Sequence, residues 1–215
     1  MSDLIPENSS AAGLIARVQA ILLKPNDTWT VIDGESDSMQ SLYMRYIIPL
    51  AAIGPIAGAI GMVAFGIPIP FIGTMRLGIG ASLAIAVTGF IGSLVSVYVL
   101  SLIIDMLAPS FGGTKNGIKA FQVSTYASTA AWVAGILRIF PLLGILGSLL
   151  GLYSLYLLVV GAPKLMKVPQ DRSVGYIVVT IVVAIVVFII IGYLTGMITG
   201  PLMAPTLGSM MSATN

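Results

Sequence analysis

The chain has 215 residues, of which 57% are hydrophobic and only 8% charged, and its mean hydropathy is +1.04. A soluble domain carries roughly 25% charged residues, so too few charges remain here to wet a soluble globule, and lipid must replace much of the water. A net charge of +2 points neither to nucleic acid nor to an acidic partner, and the absence of Cys and His excludes disulfides, zinc, haem and cysteine-based centres.

The first ten residues carry Asp3 and Glu7 and no base, so they lack the n-region of a cleaved signal peptide. The first spanning helix is expected to serve as an uncleaved targeting signal. In residues 11–23, Leu14, Ile15, Val18, Ile21 and Leu22 recur at helical spacing, with Arg17 and Gln19 turned away. Ser9 or Ser10 can cap this helix and Pro25 stops it. It suits either the cytoplasmic membrane surface or a packed position on the bundle. Residues 26–42 are polar and acidic and read as a linker, with Trp29 at the interface or against the amphipathic helix.

A spanning helix needs roughly 20 apolar residues. Five stretches qualify: 46–65, 79–107, 120–137, 142–161 and 175–198. They are long and uninterrupted, unlike the short alternating strands of a barrel. The second exceeds the bilayer core, so it should tilt or project. Arg138 to Pro141 separates the third and fourth as a tight helical hairpin, its one charge marking the interface. The expected fold is therefore all-α, a bundle of five transmembrane helices with an N-terminal interfacial amphipathic helix. Residues 1–42 form its cytoplasmic segment, 43–200 the bundle and 201–215 an irregular extracytoplasmic tail. Eight basic residues (Arg17, Lys24, Arg45, Lys115, Lys119, Lys164, Lys167 and Arg172) fall on one side, against Arg76 and Arg138 on the other. This bias places the N-terminus in the cytoplasm and the C-terminus outside.

Small residues recur four apart at Gly54 and Gly58, at Gly147 and Gly151, and at Gly192, Gly196 and Gly200. Such faces allow close helix packing, within the chain or in a homo-oligomer. The methionines of the tail suit a soft metal only in principle and serve better as hydrophobic filler.

Six of the eight acids lie in the first 37 residues; the others are Asp105 and Asp171. A Ser–His–Asp triad is impossible. Ser–Lys catalysis would need Lys115 or Lys119, both expected in an exposed loop, and no phosphate loop is present. No catalytic residue, cofactor or metal site is expected. Asp105, near the cytoplasmic end of the second span, is the most informative residue. It can pair with Lys115, Lys119 or Lys164, or it can serve as a proton or cation site. The loop 108–119 carries Phe111-Gly112-Gly113, which permits a tight turn, and a basic pair that suits anionic lipid.

Ordered along the chain are Leu22-Leu23-Lys24-Pro25 with Trp29, then Tyr43, Tyr46 and Pro49-Leu50. Phe111-Gly112-Gly113 with Asn116 follows, then Tyr126-Ala127-Ser128 with Trp132. Last come Tyr153-Ser154, Tyr156-Leu157, Gly161 and Pro163-Lys164-Leu165-Met166. In this set the chain resembles the Yip family of five-span membrane proteins, over about residues 20–200, and especially its short bacterial branch. The resemblance implies a five-helix bundle with a cytosolic N-terminus. It implies small-GTPase partners only for eukaryotic relatives. This chain lacks their Asp-Leu-x-Gly-Pro and Gly-Tyr-x-Tyr-Gly motifs, so no Rab GTPase is expected if the source is bacterial.

The expected function is a non-enzymatic membrane organiser or scaffold in a bacterial inner membrane, with lipids as its partners. The alternative is a small transporter or channel using Asp105, with Ser93, Ser96, Ser101, Ser124, Thr125, Ser128, Ser148 and Ser154 as candidates for a polar path.

Overall fold

The computed structural model describes residues 11–69 and 73–213. The expected caps Ser9 and Ser10 and the acids Asp3 and Glu7 lie outside the described residues, as do the side chains of Met203, Met210 and Met211. The protein is an all-α membrane protein. Four helices among the described residues are long and apolar enough to cross a bilayer: Met39–Ala64, Ile79–Phe111, Leu146–Leu165 and Gln170–Pro201.

Helix α1 (Ala11–Leu23) is followed after one residue by α2 (Pro25–Gly34). Residues 26–34 are thus helical rather than linker. Proline suits a first helical position because its missing N–H would have no partner there, so Pro25 ends α1 by opening α2. Both helices pack on the bundle, and Ile21, Trp29 and Ile32 are fully buried. Arg17, expected to face away, is only 12% exposed at its side chain.

Helix α3 (Met39–Ala64) contains one wide π turn at Tyr43–Ile47. That turn ends just before Pro49, whose ring would clash with the carbonyl four residues back and which lacks an N–H. A β-hairpin, β1 (Ile67–Ile69) with β2 (Gly73–Met75), connects α3 to the long α4 (Ile79–Leu107). The Tyr43 hydroxyl donates to the Leu94 carbonyl at 3.2 Å. Thirteen residues of α4, about 20 Å, therefore run past the level at which Tyr43 enters the bundle.

The third apolar stretch is not one helix. It comprises α5 (Gly117–Ala127), α6 (Thr129–Ala134) and a 3-10 turn at Gly135–Ile139. The Ser128 hydroxyl bonds the Ser124 carbonyl at 2.7 Å, and Thr129 at the break meets the Tyr46 hydroxyl at 2.8 Å. The broken segment still traverses the bundle. It starts beside the 166–168 turn and ends with Arg138 and Ile139 against Gly61, three residues from the end of α3. Helices α7 (Gly144–Gly151) and α8 (Tyr153–Leu165) return the chain. The last helix, α9 (Gln170–Ala213), continues through most of the tail expected to be irregular.

The two ends of the bundle differ in packing. At the end carrying α1 and α2, every residue from Ala120 to Ala127 is buried, around Trp29, Tyr46, Tyr126 and Tyr176. At the hairpin end, Leu83, Val87 and Ile91 of α4 and most of α9 from Ile185 to Pro201 are exposed, as a lipid-facing surface should be.

Glycine places the tight contacts. A Cβ on Gly161 would lie 2.4 Å from the Trp29 indole, and one on Gly135 would lie 2.8 Å from the Gly54 Cα. Gly54 and Gly147 pack within the chain, with Gly151 just in contact, whereas a Cβ on Gly58, Gly192, Gly196 or Gly200 would meet nothing within 4 Å. Overpacking a rigid core site costs about 1–3 kcal/mol. Gly161→Ala is expected to lower the thermal midpoint in detergent accordingly, while Gly58→Ala leaves it unchanged.

Candidate functional site

The residues singled out in the loop 108–119 converge on a latch that ties α2, α4, α5, α8 and α9 together at one end. The chain leaves α4 through a 3-10 turn at Ala108–Phe111 and reverses at Gly112, whose φ of 77° is the left-handed conformation that glycine adopts without penalty. Gly113 then comes so close to the 166–168 turn that a Cβ would lie 2.7 Å from the Val168 side chain. Its N–H donates to the Ala108 carbonyl at 2.9 Å, and the Thr114 N–H donates to the Met166 carbonyl at 2.8 Å. The Phe111 ring packs tilted against Tyr176, with centroids 5.8 Å apart, and the Tyr176 hydroxyl donates to the Ile104 carbonyl at 2.9 Å. The Phe-Gly-Gly triplet is thus the part of the loop that seats it against α9.

Asp105 does not pair with a lysine. Its carboxylate accepts the Asn116 N–H at 2.8 Å, and the Asn116 side chain caps α5 by accepting the Lys119 N–H at 3.1 Å. An asparagine cap satisfies one of the free donors of a helix start. Lys119 is half-buried rather than loop-exposed. Its ammonium donates to the carbonyls of Ile32, Asp33 and Glu35 at 3.0, 2.8 and 2.9 Å. These belong to the C-terminal end of α2, where unpaired carbonyls favour a cation. Lys164 does the same near the start of α2, bonding the Asn26 carbonyl at 3.1 Å and the Thr30 hydroxyl at 2.6 Å. Lys115 remains exposed.

The acids of residues 33–37 supply the other half of this network, which the linker assignment missed. Glu35 pairs with Arg17 at 2.5 Å, Asp33 with Lys167, and Asp37 accepts the Gln122 amide at 3.2 Å. Arg17 also lies over the Tyr126 ring, 5.8 Å from its centroid, a favourable position for a cation. Burial works against the Arg17 charge, but Tyr126 and Glu35 outweigh it and hold the guanidinium above its ordinary pKa. Acidic residues spaced at 33, 35 and 37 opposite a basic set were the available signal.

Pro163 accepts the Val168 N–H at 2.9 Å, closing the end of α8, while Lys167 takes φ 54°. This is a Schellman closure with a non-glycine residue at its left-handed position. Tyr153 is apart from the latch: its hydroxyl donates to the Leu22 carbonyl of α1 at 2.9 Å. Trp132 is deeper still, its indole N–H donating to the Ser93 hydroxyl at 3.1 Å. No group of three or more acids, histidines or cysteines able to hold a metal occurs among the described residues.

Two measurements probe the latch. Asp105→Ala leaves the Asn116 N–H without its charged acceptor and should cost about 1.5–3 kcal/mol; Asp105→Asn retains an acceptor and should cost less. Lys167→Ala and Lys167→Gly both lose the Asp33 pair, but only glycine relieves the left-handed backbone. The glycine variant should therefore be the more stable by about 1 kcal/mol, read as the difference between their unfolding midpoints in detergent.

The Yip1 domain family model matches residues 20–192. The chain is 21% identical over 170 residues to the inner membrane protein YohC of Escherichia coli K12, an alignment covering 78% of this chain and 87% of that protein. The protein of the same name from Escherichia coli O6:H1 matches with the same identity and coverage. No solved structure matches the chain. The match takes in the latch, the buried Trp29 and Gly161 contact, and the Trp132 interior, and with this extent the chain belongs to the Yip1 domain family.

Proposed function

We propose that the protein is a non-enzymatic organiser of a bacterial inner membrane, acting through helix–helix and lipid contacts. The observation that carries this is how the chain spends its few polar groups. At the α1–α2 end, Asp105, Lys119, Lys164, Arg17 and Glu35 are all engaged in holding helices to one another. None of these forms a nucleophile and base pair. A transport path through Asp105 has nothing to support it, because the carboxylate is bonded to the Asn116 N–H and lines none of the four cavities found among the described residues.

The inner membrane is inferred from the relatives, which carry that name. The N-terminus is assigned to the cytoplasm because eight of the ten basic residues belong to the segments of that side. The GTPase partners of eukaryotic relatives are not assigned to this chain.

The contact surface is the outer half of α9. Among the described residues, a Cβ on Gly196 or Gly200 would meet nothing beyond its own helix's backbone within 4 Å, and Tyr193, Leu194, Met197 and Ile198 beside them are exposed. A small-residue face left open within the chain suits a second copy. Native mass spectrometry from lipid nanodiscs should give a discrete oligomer that Gly196→Leu converts to monomer with an unchanged unfolding midpoint. A wild-type monomer at every concentration would remove homo-oligomerisation from the proposal.

A further inference from the structure

Arg138 is an exposed residue, but its guanidinium does not stay at the hairpin end of the bundle. The Arg138 carbonyl sits against Gly61, but its Nη1 is 3.6 Å from the position of a Cβ on Gly54. The side chain therefore runs inward along α3 by about two turns, about 10 Å. Gly54 is ten residues, or about 15 Å, from the end of α3 at Ala64, which is half the depth of a ~30 Å core. Among the described residues the guanidinium has no hydrogen bond or ion pair. The sequence has no Asp or Glu from 38 to 104 or from 106 to 170, and Asp105 belongs to the latch at the other end. A charge at this depth is costly and by default marks a site.

The guanidinium lines a cavity of about 560 Å³ bounded by α3, α4, the Trp132 indole and α9. The space exists because Gly58, Gly89 and Gly92 lack side chains there: a Cβ on any of them would touch nothing within 4 Å. A second cavity of about 270 Å³ shares Ser93, Ser96, Trp132 and Phe188 with the first. Beyond those residues, Ser128 and Ser154 are its only polar lining and the other walls are apolar, among them Val97, Leu100, Leu158 and Ile181. One unmatched positive charge therefore stands at one end and an apolar slot at the other.

We propose that these adjoining cavities bind one anionic amphiphile, its carboxylate or phosphate head on Arg138 and its alkyl chain in the slot toward Leu100 and Leu158. A planar guanidinium holds such a head through two parallel hydrogen bonds. A free inorganic anion would leave the slot unfilled, and a neutral lipid would leave the charge unmatched. This assignment is independent of the organiser role and of oligomer formation.

Trp132 lines both cavities and is one of only two tryptophans; the other, Trp29, is fully buried in the latch-end core and lines neither. Bromine on a bound chain quenches indole fluorescence at contact. The full chain in detergent is titrated with dibromostearate, with its methyl ester and with a chain-brominated lysophosphatidylglycerol. Saturable quenching should occur with at least one of the two anions at a tenfold lower concentration than with the ester. Quenching by the fatty acid assigns the site to a free acid, and quenching by the lysolipid alone assigns it to a membrane phospholipid. Arg138→Gln should abolish the preference and Arg138→Lys should keep it. Gly92→Leu, which fills open space, should abolish quenching at an unchanged unfolding midpoint. Equal quenching by anions and ester, or a preference that survives in folded Arg138→Gln or Gly92→Leu protein, would overturn the assignment.

Discussion

A half-buried ammonium must be given oxygens, and in a chain with 8% charged residues few carboxylates are at hand. Lys119 takes three backbone carbonyls from the end of α2 instead. Hydrogen bonds to a charged group contribute about 1.5–3 kcal/mol each, so these three anchor α2 against α5. The rest of that end follows from the anchor. With α2 held, Trp29 is pressed into the core against Gly161 and Tyr126, and Asp33, Glu35 and Asp37 are carried to Lys167, Arg17 and Gln122. The amphipathic α1 is drawn in with them through Arg17. The choice left open by its apolar periodicity, between membrane surface and bundle, falls to the bundle, where Arg17 meets Glu35, Tyr153 bonds the Leu22 carbonyl and Ile21 is buried.

Apolar length made the architecture legible. Helix α4, bounded by Gly78 and the Pro109 turn, runs from Ile79 to Leu107 because nothing within it interrupts a helix. Composition was enough to identify membrane crossing, because no other solvent accepts so many exposed valines and isoleucines. Two kinds of feature were not legible. The break at Ser128 and Thr129 depends on hydroxyls finding the Ser124 carbonyl and Tyr46, and a window of mean hydropathy is blind to such partners. The helicity of residues 25–34 was hidden by their polarity, since α2 is stabilised by ammonium groups from residues 119 and 164 that lie far away in sequence.

The site residues divide the same way. Phe111, Gly112, Gly113, Asn116 and Lys119 were identifiable as a group because a loop concentrates backbone specialties in a short run. Their role was not identifiable, since it lies in the carbonyls of Met166 and Ile32 that they meet. Asp105 illustrates the limit well. Its depth and charge marked it as unusual, and a lysine partner was the expected solution. The N–H of Asn116 serves instead, because that N–H belongs to a helix start that needs an acceptor and Lys119 is already occupied.

Arg138 presents the opposite case. At the latch end the basic groups of Arg17, Lys119, Lys164 and Lys167 each find an oxygen within the chain. At the hairpin end the guanidinium of Arg138 turns inward with none. Packing inside a bilayer gains little from burying one apolar side chain against another, since lipid offers the same contacts. Open space beside Gly58, Gly89 and Gly92 is therefore cheaper in this half of the bundle than it would be around Trp29. The tight end fixes the helices, and the loose half can then keep a cavity without losing the fold. A charge at mid-depth in such a cavity is stabilised chiefly by what enters it, which links the unpaired guanidinium of Arg138 to a cavity with room for a partner.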